Sequence, residues 1–147
     1  MKNLFLPDIN TILALLDQKH IHHHDAHRWL EKSSPAGFLI CPHLENGVIR
    51  IASQPRYPNF LGTAVTVRVA MIRFIAEMGM KRCQNETTLL DDSVLVKPVL
   101  LTPASIADLH LLAVAVANHA KLATFDKRIQ PTAIQGGKKA LEIIPVL

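Results

Sequence analysis

A chain of 147 residues, 49% of them hydrophobic, is long enough to bury a core of its own and too apolar for intrinsic disorder. Sixteen basic against twelve acidic side chains leave a net charge of +4, which favours a polyanion such as RNA as partner over repelling one. The two cysteines, Cys41 and Cys83, make no C-x-x-C pair, the opening "MKNLFLPDIN" reaches Pro7 too soon for a signal peptide, and no run is long enough to span a membrane, so a soluble, cytoplasmic protein is expected.

The run "NLFLPD" reads as a short buried strand ending at Pro7, and "INTILALLD" places Ile9, Ile12, Leu13 and Leu16 on one helical face. Next comes "KHIHHHDAHRWL". If this stretch is helical throughout, His20, His24 and His27 share a face, as do His23 and His27, a spacing that lets imidazoles share a metal. The competing reading is an amphipathic helix with Ala26, Trp29 and Leu30 turned inward and the histidines in solvent. That helix runs to about Lys32, where "SSPAG" breaks it; "FLIC" resumes as a buried strand, and a helix begins near Pro42.

The loop "SQPRYPNFLG" leads to another helix, from about Thr63 to Met78, and "TTLLDDSVLVKPVLLT" holds one or two short strands or turns. "TPASIADLHLLAVAVANHA" is a strong helix with Thr102 as cap and Pro103 at its first position, followed by the strand "KLATF", a loop and a last strand "LEIIPV". Strands alternating with helices imply a parallel sheet covered on both faces, in one domain over residues 1–147.

Most acids, Asp17, Asp25, Glu31, Glu77 and Glu86 among them, lie in polar surroundings and read as solvated faces or helix ends. Four do not. Asp8 ends the first strand and Asp126 lies just beyond "LATF", so in a parallel sheet both project at the same edge. Glu45 lies in the first turns of a helix that follows a buried strand, again at that edge. Asp108 sits inside an apolar helix, where an unpaired ionised carboxylate is costly. Each acid alone has an ordinary reading, as a helix cap, a dipole complement or an ion-pair member. Gathered in one crevice, the four repel one another unless cations neutralise them, and an all-oxygen set suits Mg²⁺ or Mn²⁺. Such ions make a nucleophile of water and stabilise charge on a phosphodiester, so metal-assisted phosphodiester hydrolysis is the reaction implied.

The pieces "LPDINTILALLD", "HHHDAHRWL", "CPHLENGVIRIASQPRYP", "IADLHLLAVAVANHAKLATFDKRI" and "LEIIP", in this order, make the chain resemble the PIN-domain ribonucleases, specifically the VapC toxins of toxin–antitoxin pairs. The resemblance implies an α/β, Rossmann-like five-stranded parallel sheet flanked by helices, and a Mg²⁺- or Mn²⁺-dependent endoribonuclease. Its metal ligands would be Asp8, Glu45, Asp108 and Asp126, with Asn10 and Thr124 in support. Structured RNA, transfer or ribosomal, would be the substrate, and an antitoxin and a second copy of the chain the protein partners. Arg50, Arg56, Lys127 and Arg128, the basic residues nearest the acids in sequence, are expected at RNA phosphates.

Two positions depart from many relatives. Ala107 stands where a threonine commonly precedes the third aspartate, and His110 where a tyrosine commonly follows it. The histidine-rich stretch resembles the ordinary second helix, which favours packing over metal, with His22 to His24 placed to meet RNA phosphates. The alternative reading is a non-catalytic PIN-like module that binds RNA or protein; retention of all four acids speaks against it.

Overall fold

The apolar runs form the inner strands. In the computed structural model, which describes residues 2–147, the elements in chain order are β1 (Leu4–Pro7), α1 (Ile9–Leu16), α2 (His23–Ser33), β2 (Gly37–Ile40), α3 (Pro42–Ala52), α4 (Ala64–Met78), β3 (Lys81–Arg82), α5 (Ile106–Ala117), β4 (Lys121–Thr124) and β5 (Leu141–Ile143). The five strands lie in the order β3-β2-β1-β4-β5, every pair parallel. Phe5, Leu6, Leu122 and Ala123 are at most 1% exposed, as strands covered by helices on both faces require. Phe5 meets the Trp29 ring edge-on at 4.9 Å, which seats α2 on the sheet.

Chain order along the sheet reverses between β1 and β4. At such a switch point the connections leave in opposite directions and open a crevice beyond the strands' carboxyl ends. Asp8 follows β1 and Asp126 lies two residues past β4, so the crevice opens between them.

Three boundaries differ from the sequence expectations. The helix expected from Thr102 and Pro103 starts at Ile106, because the Ser105 hydroxyl donates to Thr102 O and accepts from Thr102 N. That local turn competes with helical hydrogen bonding. Consequently Asp108 stands in the first turn of α5 rather than deep inside it. The histidine-rich helix begins only at His23, so His20 precedes it and the i, i+4, i+7 alignment with His24 and His27 does not form. The strand expected from the middle third is instead β3, the exposed pair Lys81–Arg82, reached through Gly79 in a left-handed cap at φ 62°. The stretch 87–102 supplies instead turns, a 3₁₀ turn at Pro98–Leu100 and a single antiparallel bridge from Leu95 to Ile134. Among the described residues, no helix is long and apolar enough to cross a membrane.

Two of the acids read as solvated are buried. Asp25 is 8% exposed and accepts from Arg28 Nη1 at 2.9 Å and from Leu147 N at 3.2 Å. Asp17, 2% exposed at the end of α1, accepts from Tyr57 Oη at 2.6 Å, Asn59 Nδ2 at 2.7 Å and Lys19 N at 3.0 Å. Burial alone would raise the Asp17 carboxyl, but the bonds from Tyr57, Asn59 and Lys19 together hold it below its ordinary value of 3.8. Tyr57→Phe is therefore expected to cost about 1.5–3 kcal/mol at neutral pH, since the lost bond is to a charged group. A depressed carboxyl contributes stability that is lost as pH falls through its folded value, so the difference between variant and wild type should close only below pH 3.8. Thermal melts across pH check this; coincident curves at neutral pH would mean that water replaces the tyrosine.

Candidate active site

Asp8 is the N-cap of α1. Its Oδ1 accepts from Thr11 N at 2.9 Å and its Oδ2 from Thr124 Oγ1 at 2.5 Å, while Thr11 Oγ1 donates to Ala123 O at 3.0 Å. The Thr124 hydroxyl also accepts from Asp126 N at 3.0 Å. One threonine at the end of β4 thus orients one acid through its side chain and the next through its backbone. Asp126 is in turn forked by Arg128, whose Nε and Nη2 reach the two carboxylate oxygens at 3.0 and 3.1 Å. Asp108 is half-buried and meets no hydrogen-bond donor among the described residues.

These three acids line one cleft of about 1090 Å³. Burial pushes the Asp8 carboxyl up, an effect partly offset by the bonds from Thr124 and Thr11 and reinforced by the charge of Asp126. Burial likewise pushes Asp108 up, helped by the charges of Asp8 and Asp126 and opposed by Arg128. Asp126 moves the other way, held down by its bonds to Arg128. Burial and mutual repulsion thus disfavour charge on Asp8 and Asp108 while Arg128 keeps Asp126 ionised, and a cation seated among the three would offset that penalty.

Glu45 does not join them. In the first turn of α3 it is held by Arg82 of β3, whose Nη1 and Nη2 meet Oε1 and Oε2 at 2.7 and 2.9 Å, and it does not line the cleft. The expected convergence of four acids is therefore realised for three. Among the described residues, no three or more His, Cys, Asp or Glu side chains stand together as a ready-made metal cage. The donor chemistry nonetheless fits a hard divalent ion: three carboxylates, oxygen donors throughout, two of them with ionisation disfavoured by burial and by the charge of a neighbouring acid.

Asn10 lines the cleft and its Oδ1 meets His20 Nε2 at 3.0 Å. Because His20 Nδ1 accepts from His22 N at 3.0 Å, the ring proton sits on Nε2 and is donated to Asn10. His23 Nδ1 reaches Ala14 O at 2.8 Å and His27 Nε2 reaches Leu15 O at 3.1 Å, so these rings fasten α2 to the end of α1. His22 stacks on Phe125, centroids 4.8 Å apart, and lines the cleft, whereas His24 is exposed and does not. The histidine stretch is a packing device with one face on the cleft. His110 Nε2 reaches Thr87 O at 3.2 Å, and Ala107 opens directly onto the cleft.

Of the basic residues expected near phosphate, Lys127 and Arg128 line the cleft and Arg50 and Arg56 do not; Arg56 donates to Gln54 Oε1 at 3.2 Å. Lys19 and His43, which the sequence did not single out, stand in the lining. Neither carries a local signal that could have found it, since the loop before α2 and the first turn of α3 bring them in. Arg82 was missed for want of a visible strand.

No protein-family model matches the chain. Among curated proteins, the ribonuclease VapC44 of Mycobacterium tuberculosis H37Rv is 34% identical over 134 residues, covering 91% of this chain and 94% of the relative. The ribonuclease VapC38 of the same strain is 30% identical over 143 residues, covering 97% and 99%. VapC39, also a ribonuclease of that strain, is 27% identical over 132 residues, covering 89% and 94%.

Proposed function

This chain belongs to the VapC family of ribonucleases, and from that membership we propose that it is a divalent-metal-dependent endoribonuclease, the toxin of a toxin–antitoxin pair, cutting structured RNA such as transfer or ribosomal RNA. The observation that carries this reading is the meeting of Asp8, Asp108 and Asp126 in one open cleft at the carboxyl edge of the sheet. Asp8, Asp108 and Asp126 are the residues to hold Mg²⁺ or Mn²⁺, with Glu45 a fourth once it leaves Arg82. Bound there, the ion supplies a lowered water pKa and charge stabilisation at the phosphodiester.

The chain's own groups do the rest. Thr11 and Thr124 fix the direction of the Asp8 carboxylate, Thr124 sets the backbone of Asp126, and His20 holds Asn10 at the rim. Lys19 and Lys127 offer positive charge to RNA along the cleft walls. An antitoxin and a second copy of the chain are the protein partners of this reading. The outward-facing Val65, Val69 and Ile72 of α4, each about half exposed or more, give a protein partner apolar surface.

The purified chain should cleave RNA in Mg²⁺ or Mn²⁺, stop in EDTA and resume when the metal is restored. Cleavage at an unchanged rate in EDTA would remove the metal from the mechanism, and binding without cleavage under every metal condition would favour the non-catalytic module.

A further inference from the structure

Glu45 and Arg82 meet across 37 residues of sequence through both oxygens and both terminal guanidinium nitrogens. This fork aims the carboxylate at the edge strand and away from the cleft. The pair is solvent-accessible, with the Arg82 side chain 59% and the Glu45 side chain 19% accessible, and such pairs contribute little net stability, so little is lost when a partner changes.

Neither Glu45 nor Arg82 lines the cleft, but the pair stands beside its wall. His43, in the same first turn of α3, lines the cleft. Gly47, one turn further on, lets α3 lie against the start of α1: a Cβ there would fall 2.4 Å from Ile9 Cδ1, beside Asp8. A guanidinium fork matches two phosphate oxygens as well as it matches a carboxylate.

We propose that Arg82 is a phosphate-gripping residue beside the RNA cleft, held on Glu45 in the cation-free protein and released to RNA when Glu45 turns to a bound divalent ion. The inference rests on the metal-dependent ribonuclease reading. Cation and RNA are then coupled through one arginine: Arg82 competes with the cation for Glu45, and the cation frees Arg82 for RNA.

Arg82→Gln should therefore move two affinities in opposite directions, which a purely structural staple between β3 and α3 would not do. Calorimetric titration with Mn²⁺ in the absence of RNA should show binding about two- to fivefold tighter than wild type, the loss of a competing exposed pair. Anisotropy of a labelled RNA oligonucleotide, read in EDTA and in Ca²⁺, should show wild type gaining affinity with the cation. Arg82→Gln should lose about tenfold of that affinity in Ca²⁺, with a salt dependence shallower by about one. Arg82→Lys, which keeps the charge without the fork, should bind Mn²⁺ more tightly than wild type while retaining most RNA affinity, and it decides the matter if Arg82→Gln does not fold.

Unchanged or weaker Mn²⁺ binding in both variants, or full cation-dependent RNA affinity in Arg82→Gln, overturns the inference while leaving the ribonuclease reading intact. Asp8→Asn separates the two levels: if it binds Mn²⁺ as wild type does, the metal reading itself fails and the inference goes with it.

Discussion

Asp8→Asn should lower RNA cleavage on the order of a thousandfold or more while the protein melts close to wild type. The size follows from the several kcal/mol that a correctly held cation contributes to phosphodiester hydrolysis, at about 1.4 kcal/mol per tenfold. The unchanged fold follows from the residue's second task. Asp8 caps α1 through Thr11 N and receives the Thr124 hydroxyl; an asparagine oxygen can accept the same capping bond, and its amide nitrogen can donate to Thr124 Oγ1 where the carboxylate accepted from it. Asp8→Ala, by contrast, loses the cap and should cost about 1 kcal/mol as well as activity. Cleavage kinetics beside melting curves for the two variants separate chemistry from folding. An Asn variant that cuts RNA at the wild-type rate would show that Asp8 is a cap and nothing more.

Asp108→Asn should melt at or above wild type in the absence of metal, yet lose cleavage and most of the stabilisation conferred by Mn²⁺. This half-buried carboxylate meets no donor among the described residues, and burial and the charges of Asp8 and Asp126 all disfavour its ionisation. Replacing it with a neutral amide relieves that repulsion and removes a ligand that links cation binding to stability. The pH dependence has a definite sign. A carboxyl raised in the folded state destabilises it when ionised, so wild type gains on Asp108→Asn as pH falls through the folded value, and the gap is closed at the ordinary value of 3.8. Melting curves from pH 7 to pH 4, with and without Mn²⁺, read this directly. A variant that melts well below wild type at pH 7 without metal would reveal a hidden structural partner for Asp108.

What the sequence determined by itself follows from local physics. Short, mostly apolar runs such as "LFLP" and "KLATF", bounded by turn signals and alternating with helices, read as strands of a sheet covered on both sides, and acids just after them emerge at its carboxyl edge. Asp8 and Asp126 were thus legible as neighbours, and Asp108 as an acid needing company. What the tertiary structure alone decided concerns partners chosen by packing across long stretches of chain. Asp17 looks solvated in sequence but is buried because Tyr57 and Asn59, 40 and 42 residues away, fold over it. The edge strand Lys81–Arg82 is two exposed residues with no periodicity to betray them, and its place beside β2 delivers Arg82 to Glu45. The histidines from His20 to His27 read in sequence as an ordinary packing helix sooner than as metal ligands, but without named partners. Their ring nitrogens settled on Asn10 and on the carbonyls of Ala14 and Leu15, because the last turn of α1 ends with unpaired carbonyls at that distance. Local propensity chooses elements; which polar group meets which is chosen by the cost of leaving any of them unpaired once the elements pack.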